Sequence, residues 1–157
     1  HPMLKLVPMN ENEYDAFMQI SAADHIRSRL EAGYWRSAEA EGNMAKLHAQ
    51  ILPRGFATPD HLFFNIVADE NEPVGGLWYM VIEKEGRRMI FVMDIQVYPL
   101  YRRRGYGSQA FAQMEEQARQ MGIAAIELNV FPQNHAARAM YEKLGYAGEG
   151  ETMIKYI

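Results

Sequence analysis

Asp94-Ile95-Gln96-Val97-Tyr98-Pro99-Leu100-Tyr101-Arg102-Arg103-Arg104-Gly105-Tyr106-Gly107-Ser108-Gln109-Ala110-Phe111 is the most informative run in this chain. Ile95-Gln96-Val97 reads as the end of a strand, and Pro99 stops it. Beyond the glycines, Phe111, Met114, Ala118 and Met121 recur on one helical face, with Gln113, Glu116, Gln117 and Arg119 off it. Gly105 and Gly107 therefore fall at a helix N-terminus. Up to four N–H groups there lack intrahelical partners, and the dipole favours an anion. Glycine lets main chain approach a phosphate where a Cβ would stand in the way. Ser108 adds a hydroxyl donor, and Arg102, Arg103 and Arg104 add charge. In physical terms this is a cradle for a diphosphate. A bare Gly-x-Gly more often shapes only a tight turn. The strand before it, the helix behind it and three guanidinium groups shift the balance to an anion site.

Upstream of that run the chain alternates in short strands. Leu62 to Val67, Val74 to Glu83 and Arg88 to Val97 are separated by turn residues at Asp69 to Pro73 and at Glu85-Gly86. Turns this short predict antiparallel hairpins. Before them come a strand from Met3 to Met9 and two helices. Asn10 with Glu13 makes a partial capping box for the first helix, which runs to about Ala32. The second runs from Ser37 to Ile51. Downstream lie a strand (Ala124 to Val130), a helix (Asn134 to Leu144) and a last strand (Thr152 to Tyr156). Helices between strands predict parallel crossovers in this half. The expected fold is α/β: a mixed central sheet, antiparallel first and partly parallel later, with about four helices. His1-Pro2 before Met3 reads as a tag remnant, so a single domain is expected over residues 3–157.

The 157 residues include no cysteine, which excludes disulfides, thiolate metal sites and a cysteine nucleophile. A net charge of −4 argues against general nucleic-acid binding. It also isolates the arginine cluster as a spot for a compact anion. No apolar run approaches the roughly 20 residues of a membrane helix, and no signal-peptide pattern opens the chain, so a cytoplasmic location is expected. The five histidines have no ligand spacing, and no metal is expected.

Gly105-Tyr106-Gly107-Ser108-Gln109-Ala110 also satisfies the dinucleotide pattern G-x-G-x-x-G/A, with Glu127 near the offset of a ribose-binding acid. Three features count against it. Seven residues, Tyr98 to Arg104, separate strand from glycines. The preceding strands are hairpin-linked, not βαβ. Glu127 falls mid-strand with too little chain after it for the rest of that sheet.

Arg102-x-x-Gly105-x-Gly107, followed by Leu128-Asn129-Val130-Phe131-Pro132-Gln133-Asn134 and by Ala137, Tyr141 and Leu144-Gly145-Tyr146, resembles the GCN5-related N-acetyltransferase (GNAT) superfamily. That family's loop reads Q/R-x-x-G-x-G/A. The resemblance spans nearly the whole chain. Its front half, with Leu52-Pro53-Arg54-Gly55 and Thr58-Pro59-Asp60-His61, resembles a bacterial subgroup of unassigned substrate. It implies that the strands ending at Val97 and at Val130 lie parallel and splay apart. Acetyl-CoA would enter the gap as cosubstrate, its pantetheine pairing with main chain from Ile95 through Gln96 to Val97. Its diphosphate would rest on the amides of Arg103, Arg104, Gly105, Tyr106, Gly107 and Ser108 beside Arg102. Asn134 and Ala137 would touch the cofactor arm, and Tyr141 would stand near the sulfur.

Acetyl transfer to an amine needs a neutral nucleophile. An alkyl amine of pKa ~10.4 is charged at pH 7, a penalty of roughly 4.6 kcal/mol. It also needs a donor for the oxygen that turns anionic, for which the resemblance implies the Val97 N–H. The departing thiolate, near pKa ~8.5, needs a proton donor, and Tyr141 is the candidate general acid. Against it, Ala137, Met140, Tyr141 and Leu144 also make an ordinary apolar helix face. Asn134 can be a plain N-cap. The base is less evident. Some relatives carry a Glu where this chain has Asn129. Asp94 is one candidate and a water chain to a more distant carboxylate is the other; alternation from Val97 places Met93 and Phe91, not Asp94, on the Val97 face unless a bulge intervenes. The two front helices should roof the sheet, with Glu31, Tyr34, Trp35 and Trp78 as candidates to line the acceptor site. The expected activity is direct transfer from acetyl-CoA to a primary amine, of a small molecule or a peptide, in a ternary complex. A homodimer is expected by family analogy. The alternative is a non-catalytic acyl-CoA sensor of the same fold.

Overall fold

Glu85 and Gly86 both take left-handed backbone, with φ of 54° and 76°. A two-residue hairpin turn matched to strand twist needs this pair of angles. The turn joins β3 (Pro73–Lys84) to β4 (Arg87–Val97), the longest strands of a six-stranded sheet. A computed structural model describes residues 4–69 and 72–157. The expected strand start at Met3, the residues before it and the centre of the Asp69–Pro73 turn lie outside the described residues.

In chain order the elements are β1 (Lys5–Pro8), α1 (Glu11–Glu31), α2 (Ser37–Ile51), β2 (His61–Val67), β3, β4, α3 (Tyr106–Gln120), β5 (Ala125–Asn129), α4 (His135–Lys143) and β6 (Thr152–Tyr156). The capping box at α1 is complete: Asn10 Oδ1 accepts the Glu13 N–H and Glu13 Oε1 accepts the Asn10 N–H. Strands stack in sequence order, all neighbours antiparallel except β4 and β5. The α3 crossover makes that parallel pair. The helix-between-strands pattern predicts a second crossover at α4, but β6 returns antiparallel to β5. The helix there is short, and the chain turns back beside the strand it has just left. No helix among the described residues is long and apolar enough to cross a membrane.

The sheet carries a separate core on each face. Ile66, Leu77, Tyr79, Ile90 and Val92 pack with Phe111 and Met114 of α3. On the other face Phe17 of α1 and Leu52, just past α2, pack with Phe63 and Trp78. The roof expected from α1 and α2 is therefore in place.

One irregularity in β4 resets the facing of its last residues. Trp78 pairs with Asp94 but Tyr79 pairs with Val92, so Met93 is a surplus residue, a β-bulge. Val92 and Ile95 pack in the α3-side core, whereas Met93 joins the α1-side cluster. The alternation that placed Met93 on the Val97 face is thus broken at Met93 itself. Pairing of β4 with β5 also stops beside the bulge, at Val92 and Leu128. Beyond that point β4 runs on to Val97 with no partner on its β5 side among the described residues.

Candidate active site

A cleft of about 390 Å³ opens where the β4–β5 ladder ends. Its walls come from α1 and α2 on the roof side, from Phe91 to Ile95 on β4, from Leu128 to Phe131 at the end of β5 and just beyond it, and from α4. Asp94 is buried, and its carboxylate faces α1. His25 Nε2 lies 3.3 Å from Asp94 Oδ1. The Gln96 amide nitrogen donates to both Asp94 oxygens, at 3.1 and 3.0 Å, and to Asp24 Oδ2 at 2.9 Å. Asp24, His25 and Asp94 each bring one ligating atom within 4.8 Å of the others. A trio of this kind accepts positive charge or a proton. Its members come from two elements 70 residues apart, so no sequence spacing revealed it.

Tyr141 of α4 opens onto the same cleft. Its ring packs against Phe111 (5.3 Å between centroids) and Tyr146 (6.3 Å). Burial, and secondarily the negative charge of Asp94, push its phenol up to about 12. Tyr141 therefore keeps its proton through the whole physiological range. His48 of α2 also lines the cleft, and burial followed by the nearby His25 and Arg29 pulls its pKa down, so it stays neutral at pH 7.

At the far end of β4 the glycine loop has the expected form. Gly105 is the N-cap of α3 in left-handed conformation, φ 78°, and no side chain among the described residues caps the helix. The first carbonyl used by the helix is that of Gly105, which accepts the Gln109 N–H at 3.1 Å. The amides of Tyr106, Gly107 and Ser108 thus precede the ladder. Arg103 and Arg104 are exposed, and the Arg104 guanidinium sits over the Tyr101 ring at 5.7 Å. Arg102 Nε donates to the Val97 carbonyl at 2.8 Å and ties the loop to the strand end. The Tyr98 N–H goes to Val74 on β3. By strand alternation the main-chain groups of Val97 and Ile95 face the open side. The Val97 carbonyl is therefore already engaged, leaving its N–H and the Ile95 groups for pairing.

Several expected site residues stand elsewhere. The Gln96 side chain is buried against Asp94 and Asp24, away from the loop at 102–108. Val97 does not line the cleft, whereas Ile95 does. Of the four acceptor-side candidates, Tyr34 and Trp78 line the cleft, but Glu31 and Trp35 do not. Trp78 is a floor residue, 1% exposed, with Nε1 donating to His61 Nδ1 at 3.0 Å. Trp35 instead backs the Arg29 guanidinium at 5.0 Å. Asn134 caps α4, its Oδ1 accepting the Ala137 N–H at 3.2 Å, and both residues line the cleft. Asn129 Oδ1 accepts the Thr152 hydroxyl. Asp24, His25 and Arg29 were missed from sequence. Their one local signal is that α1 shows almost no segregation of apolar from polar residues, so a helix that packs on the sheet turns polar groups inward.

Comparison with known proteins gives one consistent result. Residues 15–146 match the model of the family described as Acetyltransferase (GNAT). The uncharacterized N-acetyltransferase YycN of Bacillus subtilis (strain 168) is 30% identical over 152 residues, covering 97% of each chain. YdgE of the same organism, similarly described, is 29% identical over the same shares. The crystal structure of YycN superposes with a TM-score of 0.88 over 92% of both chains, at 30% identity. The spermidine N-acetyltransferase of Vibrio cholerae, solved with CoA and spermine, shares the fold at a TM-score of 0.70 and 14% identity, over 98% of this chain and 95% of that one.

Proposed function

This chain belongs to the GNAT acetyltransferase family, and on that premise we propose that it transfers an acetyl group from acetyl-CoA to a primary amine by direct attack. The observation that carries the reading is the open β4 edge. It runs from the uncapped, glycine-lined start of α3 to a cleft holding a protonated phenol and a buried carboxylate. The Vibrio enzyme of the same fold was solved with CoA, which supports the choice of donor.

The loop fits the diphosphate on this chain's own geometry. A Cβ added at Gly107 would point at Met140 Sδ (3.6 Å) and Val97 Cγ2 (3.9 Å), into the space between β4 and α4. Acetyl-CoA supplies the acyl group and a thiolate leaving group. Tyr106, Gly107 and Ser108 offer amides to the diphosphate, with Arg103 and Arg104 adding charge. Arg102 holds the loop against the strand. Ile95 N–H, on the open edge and in the cleft, takes the oxyanion role in place of Val97 N–H. Asp94 with His25 receives the proton that the amine must lose. Tyr141 gives its proton to the sulfur side. These roles are coupled. Asp94's charge is one of the two causes that raise the Tyr141 pKa. Neutralising that charge with the amine's proton makes Tyr141 a stronger acid as it is needed.

The test is release of free thiol from acetyl-CoA over a broad panel of primary amines, with mass spectrometry of the products. Amine-dependent release with an N-acetylated product is expected. Tight CoA binding with no turnover on any amine would establish the sensor alternative instead.

A further inference from the structure

Among the described residues, Arg29 is the one cation in the cleft wall without a counter-charge. It sits on α1 one turn after His25, so the two share a helix face, and both line the cleft. Its guanidinium lies over two aromatic rings, Trp35 at 5.0 Å and Phe131 at 5.3 Å. Of its five donors, one reaches the His25 carbonyl, at a long 3.4 Å. No ion pair among the described residues includes it. Glu151, the carboxylate on that rim, instead accepts the Tyr34 hydroxyl at 2.5 Å. Burial lowers the Arg29 pKa, the mark of a cation partly stripped of water. A planar, fixed, half-buried guanidinium with free donors is shaped for a carboxylate. About one helical turn away, Asp24, His25 and Asp94 form a region that accepts positive charge.

We propose that the acceptor is a zwitterion, a primary amine that also carries a carboxylate, with Arg29 binding the carboxylate while the amine lies toward Asp94 and His25. This rests on the acetyltransferase reading above and narrows its substrate class to small amino acids. Trp35 and Phe131 position the guanidinium, and Arg29 is a specificity residue that touches the part of the acceptor that does not react.

The test compares glycine, β-alanine and 4-aminobutyrate, each with its own primary amide, as acceptors for the full-length protein. The amides have the less basic amines and are intrinsically better nucleophiles at neutral pH, so preference for the acids runs against reactivity. For at least one pair, the acid should be favoured about tenfold or more in kcat/KM, mainly through KM. Arg29→Met should erase that preference by raising KM for the acids about tenfold while leaving the amides within about threefold. Arg29→Lys should keep part of it. If acids and amides react alike, or Arg29→Met harms both equally, the carboxylate site is wrong and the transferase reading stands. If no amine releases thiol, the transferase reading falls, and calorimetry decides the site. CoA-loaded protein should then bind an N-acetylated amino acid more tightly than its amide, a difference lost in Arg29→Met. Equal binding overturns it.

Discussion

Tyr141 shows what position and environment each contribute. Its place in an apolar helix face is compatible with simple packing, and its ring does pack against Phe111 and Tyr146. The cleft gives its hydroxyl a second setting, near the buried Asp94 charge and with its proton held up to about pH 12. Tyr141→Phe is expected to lower kcat by roughly a hundredfold, the scale of a lost general acid, while leaving the Kd for CoA within about threefold. Steady-state kinetics and calorimetry on the same preparation check it, and unchanged kcat from pH 6 to 9 would return Tyr141 to the core. This residue could be picked out from sequence only through the resemblance to the GNAT superfamily, because its apolar helix face alone reads as packing. Its partners could not. His25 and Asp24 meet Asp94 only because α1 lies across β4, and nothing near residue 94 in the chain announces that crossing.

Among the elements, α3 was the most readable, since a 3.6-residue apolar stripe and two glycines define its inner face and its start. Phe111, Met114 and Ala118 are buried, as that stripe requires, and Met121 at its end is half-buried against the same core. The helix start is also where loss of binding can be separated from loss of folding. Gly107→Leu puts a good helix former at an early helical position, and the nearest neighbour of its Cβ is a flexible thioether. The melting temperature should fall little, while affinity for CoA drops by about tenfold or more, near 1.4 kcal/mol. Calorimetric titration with CoA reads this directly, and an unchanged Kd would place the diphosphate away from the loop. The bulge in β4 was not readable. Phe91, Val92 and Met93 are consecutive apolar residues, and an apolar run does not say which member is surplus. For the same reason α4 misled the topology: periodicity finds a helix but not the direction in which the next strand returns.

At the scale of the molecule, stability should depend on pH at both ends through groups the fold keeps neutral. Burial lowers the pKa of His48 and of His61, and His61 Nδ1 must stay bare to accept Trp78 Nε1–H. Their contribution is complete above the unfolded value of about 6.5 and is lost as pH falls below it, because the unfolded chain then binds protons that the folded chain refuses. Burial raises Tyr79 and Tyr141 to about 12. Their contribution is complete below about pH 10, the unfolded value, and is lost as pH climbs toward 12, because the unfolded chain then releases protons that the folded chain keeps. Urea midpoints measured from pH 5 to 11 should form a plateau with a fall at each end. A flat profile between pH 5 and 7 would mean that the two imidazoles titrate freely in the fold.

The surplus residue at Met93 ties these scales together. It is where the β4–β5 ladder stops, where Asp94 follows it toward the roof, and where Met93 itself leaves the α3-side face. Gap and carboxylate thus share one origin, a miscount of a single position between neighbouring strands. Any insertion or deletion between Val92 and Asp94 would zip the gap shut or swing the carboxylate to the opposite side, so this segment can vary in composition far more freely than in length.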